Sequence, residues 1–306
     1  GLGLRGYILA QGFSAALVLV LLGIAVAKLT PSGGSFRSAI FSRFEKQVVS
    51  FSTFALGVSL LEYLMAQSDK ILIGFYLDAR AVGIYSVAGA LVSFVAILLQ
   101  SVNQIFSPTI ADLHARNEHA TLARIFQTLA KWSFGLTLPL AAVMIIFAPV
   151  LMHIFGRDFE AGWPILVIGT IGQLVNCAVG SVGYLLLMSG LQRDLCKVQV
   201  VMAVLMVGVG IMLIPKMGII GAAIGSALTN LISNLWYLAE VRRKLHMTPY
   251  NLSYMRLLIP TAIMIFVLMV EHKLLLGRYS DLFLILAGLL GAYVSFIGTA
   301  IIGGLN

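Results

Sequence analysis

Glu62, Asp69 and Lys70 lie in a stretch otherwise made mostly of Ala, Ser, Leu, Phe and Met. Ser52, Ala55, Ser59, Glu62, Ala66 and Asp69 follow steps of three and four, while Phe54, Leu60, Leu61, Leu64 and Met65 fall on the other faces of a helix. At about 1.5 Å per residue, Glu62 is about 21 Å along that helix from Val48, and Asp69 about 32 Å. An ionised carboxylate at the bilayer centre costs about 2.5 kcal/mol or more, so Glu62 must meet water or a cation. It either binds a coupling ion, serves a proton step, or is paired or buried neutral. Asp69 and Lys70 point about 100° apart and cannot neutralise each other across one face. They are either interface residues or charges on a path, with Lys70, alongside Arg5 or Arg80, offering cations to a phosphate-bearing ligand.

Three more stripes of uncharged polar and small residues run at the same spacing. One holds Ser86, Gly89, Ser93, Ala96, Gln100, Asn103, Gln104 and Ser107; weaker ones hold Thr170, Gln173, Cys177, Gly180 and Tyr184, then Ser226, Asn230, Ser233, Asn234 and Tyr237. A lone Asn or Gln in a span is interhelical glue contributing about 1 kcal/mol. Four stripes together read either as a shared water-filled cavity, whose hydroxyl and amide groups can bind sugar hydroxyls, or as ordinary bundle glue; the shared cavity is the expectation. The expected pathway residues are Glu62, Asp69, Lys70, Ser59, Gln100, Asn103, Gln104, Gln173, Asn230 and Asn234. No catalytic or metal-binding residue is expected, and no cofactor.

The elements that carry these stripes are membrane spans. Residues are 60% hydrophobic and 10% charged, and the mean hydropathy is +1.00, far from a soluble domain. Nine apolar stretches are long enough to cross about 30 Å of hydrocarbon as helices: 7–29, 48–76, 82–107, 132–152, 163–189, 195–214, 218–240, 256–274 and 281–302. The fold class is therefore an all-α polytopic transmembrane bundle of about nine spans. Three parts are expected: 1–47 (first span and loop), 48–245 (a six-helix bundle) and 246–306 (a C-terminal helix pair). Residues 108–131 carry Leu122, Ile125, Phe126 and Leu129 on one face and predict an amphipathic helix at the interface. Gly218, Gly221 and Gly225 predict close approach of two helix backbones.

The net charge of +8 reads as topology rather than nucleic-acid binding. With Gly1 outside, 13 of the 20 Lys and Arg residues fall in inside loops, which places the C-terminus in the cytoplasm. A chain starting outside predicts an odd number of further upstream spans. Cys177 and Cys196 read as free thiols, and the five His residues lack metal spacing. No GxxxxGK[ST] loop or GxSxG elbow is present in the sequence, which offers no basis for an ATPase or hydrolase.

SDKILIGFYL from Ser68, AVGIYSVAGAL from Ala81, FSPTIADL from Phe106, IFGRDFEAGWPIL from Ile154 and GIIGAAIGSAL from Gly218 occur in that order. Together they resemble the polysaccharide exporters and O-antigen flippases of the multidrug, oligosaccharidyl-lipid and polysaccharide (MOP) superfamily, over about residues 45–245. The resemblance implies the C-terminal part of a two-bundle transporter, with the span near Val48 matching the seventh of fourteen. It implies a bacterial inner-membrane flippase that moves undecaprenyl-diphosphate-linked oligosaccharide (an O-antigen or exopolysaccharide unit) by alternating access, not an enzyme. Lipid-linked oligosaccharide, membrane lipid and polysaccharide polymerase or assembly proteins are the implied partners, with Asp69 and Lys70 as cavity charges. A multidrug exporter of the same superfamily needs an acidic site and few cations. A polymerase or ligase acting on the same substrate needs a large external loop, and the outside loops are short.

Overall fold

The computed structural model describes residues 3–29, 46–275 and 278–303. Among these all regular secondary structure is helical, with no strand, as the composition leads one to expect. It divides into two compact units, Gly1–Ser50 and Phe51–Asn306. The first holds α1 (Gly3–Leu29), whose apolar core is Leu9–Ala25.

The second unit holds nearly all of α2 (Lys46–Tyr76), then α3 (Ala79–Ala115), α4 (His119–Ile146) and the short α5 (Ala148–His153). A 3-10 turn over Arg157–Gly162 leads into α6 (Trp163–Val179) and α7 (Val182–Met188), followed by α8 (Gln192–Leu245), the one-turn α9 (Leu252–Met255), α10 (Leu258–Leu275) and α11 (Asp281–Ile302). Six of the described helices are long and apolar enough to cross a membrane, and α8 is one of them.

Local chemistry sets the joints. Asp78 caps α3 by accepting the Ala81 N–H at 2.7 Å. Gly218, with φ 60° and ψ −141°, interrupts α8, so segments 192–217 and 219–245 form an antiparallel hairpin. Gly221 lies so close to the Leu213 carbonyl that a Cβ would come within 2.4 Å of it, and at Gly225 a Cβ would be 3.3 Å from Val209. Two of the three glycines thus serve backbone approach, and the third makes the turn. The spans expected at 195–214 and 218–240 are the two arms of this hairpin.

Two expectations are corrected. Residues 108–131 form no separate interfacial helix: α3 and α4 each extend into this stretch and meet at Asn117, a left-handed residue with φ 59°. The apolar face seen in the sequence is core, since Leu122 and Phe126 are fully buried. The span expected at 163–189 is broken at Gly180, where φ is 69° and Ala130 sits 2.8 Å from any added Cβ, leaving α6 and α7 as separate helices.

The bundle has two chemically distinct ends. At one, Asp194 pairs with Lys244, and Leu122, Phe126, Leu195 and Val241 share an apolar cluster. At the other, Arg80 pairs with Asp158 at 2.6 Å, and Ile73, Ile84, Met152, Ile165 and Ile214 share a second cluster. The C-terminal helices α10 and α11 pack on α4 and α5 through Val143, Phe147, Met264, Leu284 and Phe296.

Gly221→Ala should destabilise the protein by about 1–3 kcal/mol, because a methyl group there meets backbone rather than a side chain that can move. Gly208→Ala, with nothing within 4 Å of the added carbon, should be neutral. Thermal melting of both variants in detergent is the measurement.

Candidate functional site

Two polar cavities lie within the second unit. The first, of about 700 Å³, is bordered by Asp69 and Lys70 of α2, Tyr85 and Ser93 of α3, Gln173 of α6, and Ser226 and Thr229 of α8. The second, of about 530 Å³, is bordered by Ser59 of α2, Gln100, Asn103 and Gln104 of α3, Asn176 of α6, Ser181 and Tyr184 beyond the break at Gly180, and Asn234 and Tyr237 of α8. Both sizes are in the range of small-molecule sites. Gln199, Asn230 and Ser233 border both, so one polar surface runs from the Arg80 end toward the Lys244 end. From Ser226 to Tyr237 it covers about 16 Å of α8.

Every expected pathway residue whose side chain is described lies on this surface. Asp69, Lys70 and Gln173 border the first cavity, Ser59, Gln100, Asn103, Gln104 and Asn234 the second, and Asn230 both. Glu62 lies outside the described side chains, as does Arg5. Arg80 borders neither cavity; it is exposed and bound to Asp158, so it does not accompany Lys70.

Asp69 is buried, and its partners come from two other helices. Tyr85 of α3 donates its hydroxyl to Asp69 Oδ2 at 2.5 Å, and Ser226 of α8 donates to the same oxygen. The two hydroxyls are 3.3 Å apart. A buried carboxylate needs such donors, and this group also ties three helices at one level. Lys70 turns away and donates to Gln67 Oε1 at 3.3 Å. The cavity therefore presents a carboxylate already engaged by hydroxyls beside an ammonium held by a neutral amide.

Asn230 organises the middle. Its amide donates to the Gly172 carbonyl at 3.3 Å and to Gln173 Oε1 at 3.4 Å, and its Oδ1 accepts from Asn234 Nδ2 at 2.5 Å. Asn103 Oδ1 and Thr229 Oγ1, both buried, have no protein partner, so each offers hydrogen-bonding capacity to whatever occupies the space beside it. Among the described residues no cluster of three His, Cys, Asp or Glu side chains is placed to hold a metal.

The sequence stripes omitted Tyr85, Asn176, Ser181 and Gln199. A carboxylate within a span needs donors, and Tyr85 was available nearly two turns into the next helix. Ser181 enters the wall only because the chain breaks at Gly180, and irregular backbone at membrane depth occurs where it is buried in protein or lines a cavity.

The model of the polysaccharide biosynthesis protein family matches residues 8–162. The probable low-salt glycan biosynthesis flippase Agl15 of Haloferax volcanii is 24% identical over 246 residues, covering 78% of this chain and 50% of Agl15. The teichuronic acid biosynthesis protein TuaB of Bacillus subtilis is 30% identical over 151 residues, 47% of this chain and 30% of TuaB. The chain thus spans half or less of the length of these relatives. Among solved structures, lipid II flippase MurJ in its inward closed conformation matches with a TM-score of 0.65 at 15% identity, covering 80% of this chain and 52% of that one. That likeness establishes a shared helical-bundle fold.

In a background with Cys177 and Cys196 replaced, Ser59→Cys, Gln100→Cys and Asn230→Cys should react with a membrane-impermeant thiol reagent. Leu60→Cys and Phe94→Cys, on the exposed apolar exterior, should react at least about tenfold more slowly, since water carries both the reagent and the thiolate. Tyr85→Phe removes one of the two hydroxyls on Asp69 and should cost about 1–3 kcal/mol in thermal stability.

Proposed function

The chain belongs to the polysaccharide biosynthesis protein family, and from that membership and the paired cavities we propose that it carries lipid-linked glycan across a membrane. The observation that bears the most weight is the continuous, mainly uncharged polar surface inside an apolar bundle, joined at Gln199, Asn230 and Ser233. Amides and hydroxyls can exchange hydrogen bonds with sugar hydroxyls, while the lipid tail stays in hydrocarbon. The likeness to Agl15, a probable low-salt glycan biosynthesis flippase, and to TuaB, a teichuronic acid biosynthesis protein, supports the same class of cargo.

The finer reading is an undecaprenyl-diphosphate-linked oligosaccharide, an O-antigen or exopolysaccharide unit, moved across the bacterial inner membrane by alternating access. Lys70 on the first cavity suits a phosphate-bearing cargo and disfavours an organic cation, which weighs against a multidrug exporter. The working part is the bundle of residues 48–245, flanked by the first span and by the helix pair of 246–306, with polymerase or assembly proteins as partners. Arg116, Arg193, Lys197 and Lys244 gather at the end bearing the Asp194 pair, which supports a cytoplasmic face there and a cytoplasmic C-terminus. Ion coupling would act through Asp69 or Glu62. The protein works as a carrier and not as an enzyme.

The full gene product and this 306-residue chain are to be reconstituted side by side in vesicles that contain a fluorescent lipid-linked oligosaccharide. The expected result is protein-dependent exposure of the sugar to an external lectin. Lys70→Ala should slow it by about tenfold or more if the ammonium contacts phosphate. Exposure no faster than in empty vesicles with the full gene product would overturn the proposal.

A further inference from the structure

Segment 192–217 of α8 has two unlike faces where it passes α2. Leu195 and Gln199 face the second cavity, together with Ala55, Val58 and Ser59 of α2. On the other side Arg193, Cys196, Lys197, Val200 and Val201, spaced i, i+3, i+4, i+7 and i+8, join Phe54 of α2 around a surface groove of about 570 Å³. One seam between two helices thus has a polar cavity behind it and a groove in front.

The groove changes character along its length. Arg193 and Lys197 stand one turn apart at its head, about 6 Å along the axis. Val200 and Val201, 47% and 46% exposed, continue it toward the middle of the span. The Arg193 guanidinium lies 5.7 Å from the centre of the Phe54 ring, a contact that positions the group without consuming its N–H donors. Lys197 reaches Asp194 at 3.5 Å but keeps 77% of its side chain exposed, and Asp194 is already paired with Lys244. Lys244 is shared between Asp194 and Glu240, and Glu240 also pairs with Arg243, so Arg193, Lys197, Arg243 and Lys244 against two carboxylates leave net positive charge at the top of an aliphatic trough.

We propose that this groove docks the diphosphate head of a polyprenyl-linked glycan, with the phosphates on Arg193 and Lys197 and the first isoprene units along Val200 and Val201. This rests on the lipid-linked glycan reading above and names the place where the cargo loads. Two cations one turn apart match two linked phosphates, one through a planar fork of donors and the other as a compact charge. A phospholipid brings a single phosphate, and a zwitterionic one adds a cation to a site that is already cationic. The valine floor gains from a hydrocarbon chain and offers a sugar nothing. Behind the groove, Ala55, Val58 and Leu195 form the narrow apolar part of the seam, beyond which Ser59, Asn103 and Gln199 would meet the glycan.

Native mass spectrometry of the full gene product, titrated separately with undecaprenyl diphosphate, phosphatidylglycerol and inorganic diphosphate, tests this. Arg193→Ala with Lys197→Ala should weaken undecaprenyl diphosphate binding by about tenfold or more. Val201→Trp, which fills the trough and leaves both charges, should weaken it as well. Arg116→Ala with Arg124→Ala removes the same charge from two residues outside the groove, at the joint of α3 and α4, and should leave affinity within about twofold, since their contribution to phosphate binding is unspecific. Unchanged affinity in the groove variants would overturn the proposal. So would phosphatidylglycerol or inorganic diphosphate binding there as tightly as undecaprenyl diphosphate, marking an annular-lipid or polyanion patch. Binding is read without transport: groove-dependent binding with no translocation refutes the carrier reading alone, and translocation indifferent to the groove variants refutes the groove alone.

Discussion

A carboxylate placed within a membrane bundle has to be answered by donors, and Asp69 is answered by Tyr85 and Ser226 from two other helices. Lipid supplies no hydrogen bonds, so a polar group there faces either protein or an internal cavity. That requirement orients α2, α3 and the second arm of α8 about a common axis, because each carries hydrophilic residues on one stripe. The same rotation leaves Leu60, Phe75, Phe94 and Leu235 on the exterior, all strongly exposed, as hydrocarbon-facing groups should be. Moving one helix by a residue would expose its amides and bury its leucines, so packing and solvation select the same arrangement.

Backbone irregularity supplies what regular helices cannot. Gly218 folds α8 on itself, and Gly221 and Gly225 let the two arms lie close enough for Asn230 and Gln199 to border the same space. Gly180 stops α6 and brings Ser181 into the cavity wall. Ala130, pressed against Gly180, shows how little room is available for any other residue at that position.

The uneven distribution of charge organises how a cargo would meet this interior. Arg193 and Lys197 are outside the cavities, at one end of the α2 and α8 seam, whereas Lys70 is inside toward the other end. Between them, past the apolar seam of Ala55, Val58 and Leu195, the polar part of the wall is made of amides and hydroxyls. A ligand that is anionic at one point and polyhydroxylated beyond it would be held at its charge and travel along neutral groups, which bind it weakly enough to release it.

The sequence by itself determined the fold class and which stripe of each helix is hydrophilic, because polarity in lipid is too costly to leave unsatisfied and so writes a helical period into residue order. Ser59, Gln100, Asn103, Gln173, Asn230 and Asn234 were legible in that way. Tyr85 was not, since the adjacent Ser86 already filled that turn of the stripe, and Gln199 was not, since a single amide carries no period. Residues 108–131 misled for a related reason: an apolar face on a polar segment fits an interface or a core equally well, and only the burial of Leu122 and Phe126 decided for core. Tertiary structure alone decided that the stripes form two joined cavities, that Asp69 is bound by hydroxyls and not by Lys70, and that Arg80 is spent on Asp158. Those outcomes depend on distances between helices far apart in the chain, set by glycine contacts and side-chain volumes that residue order does not encode locally.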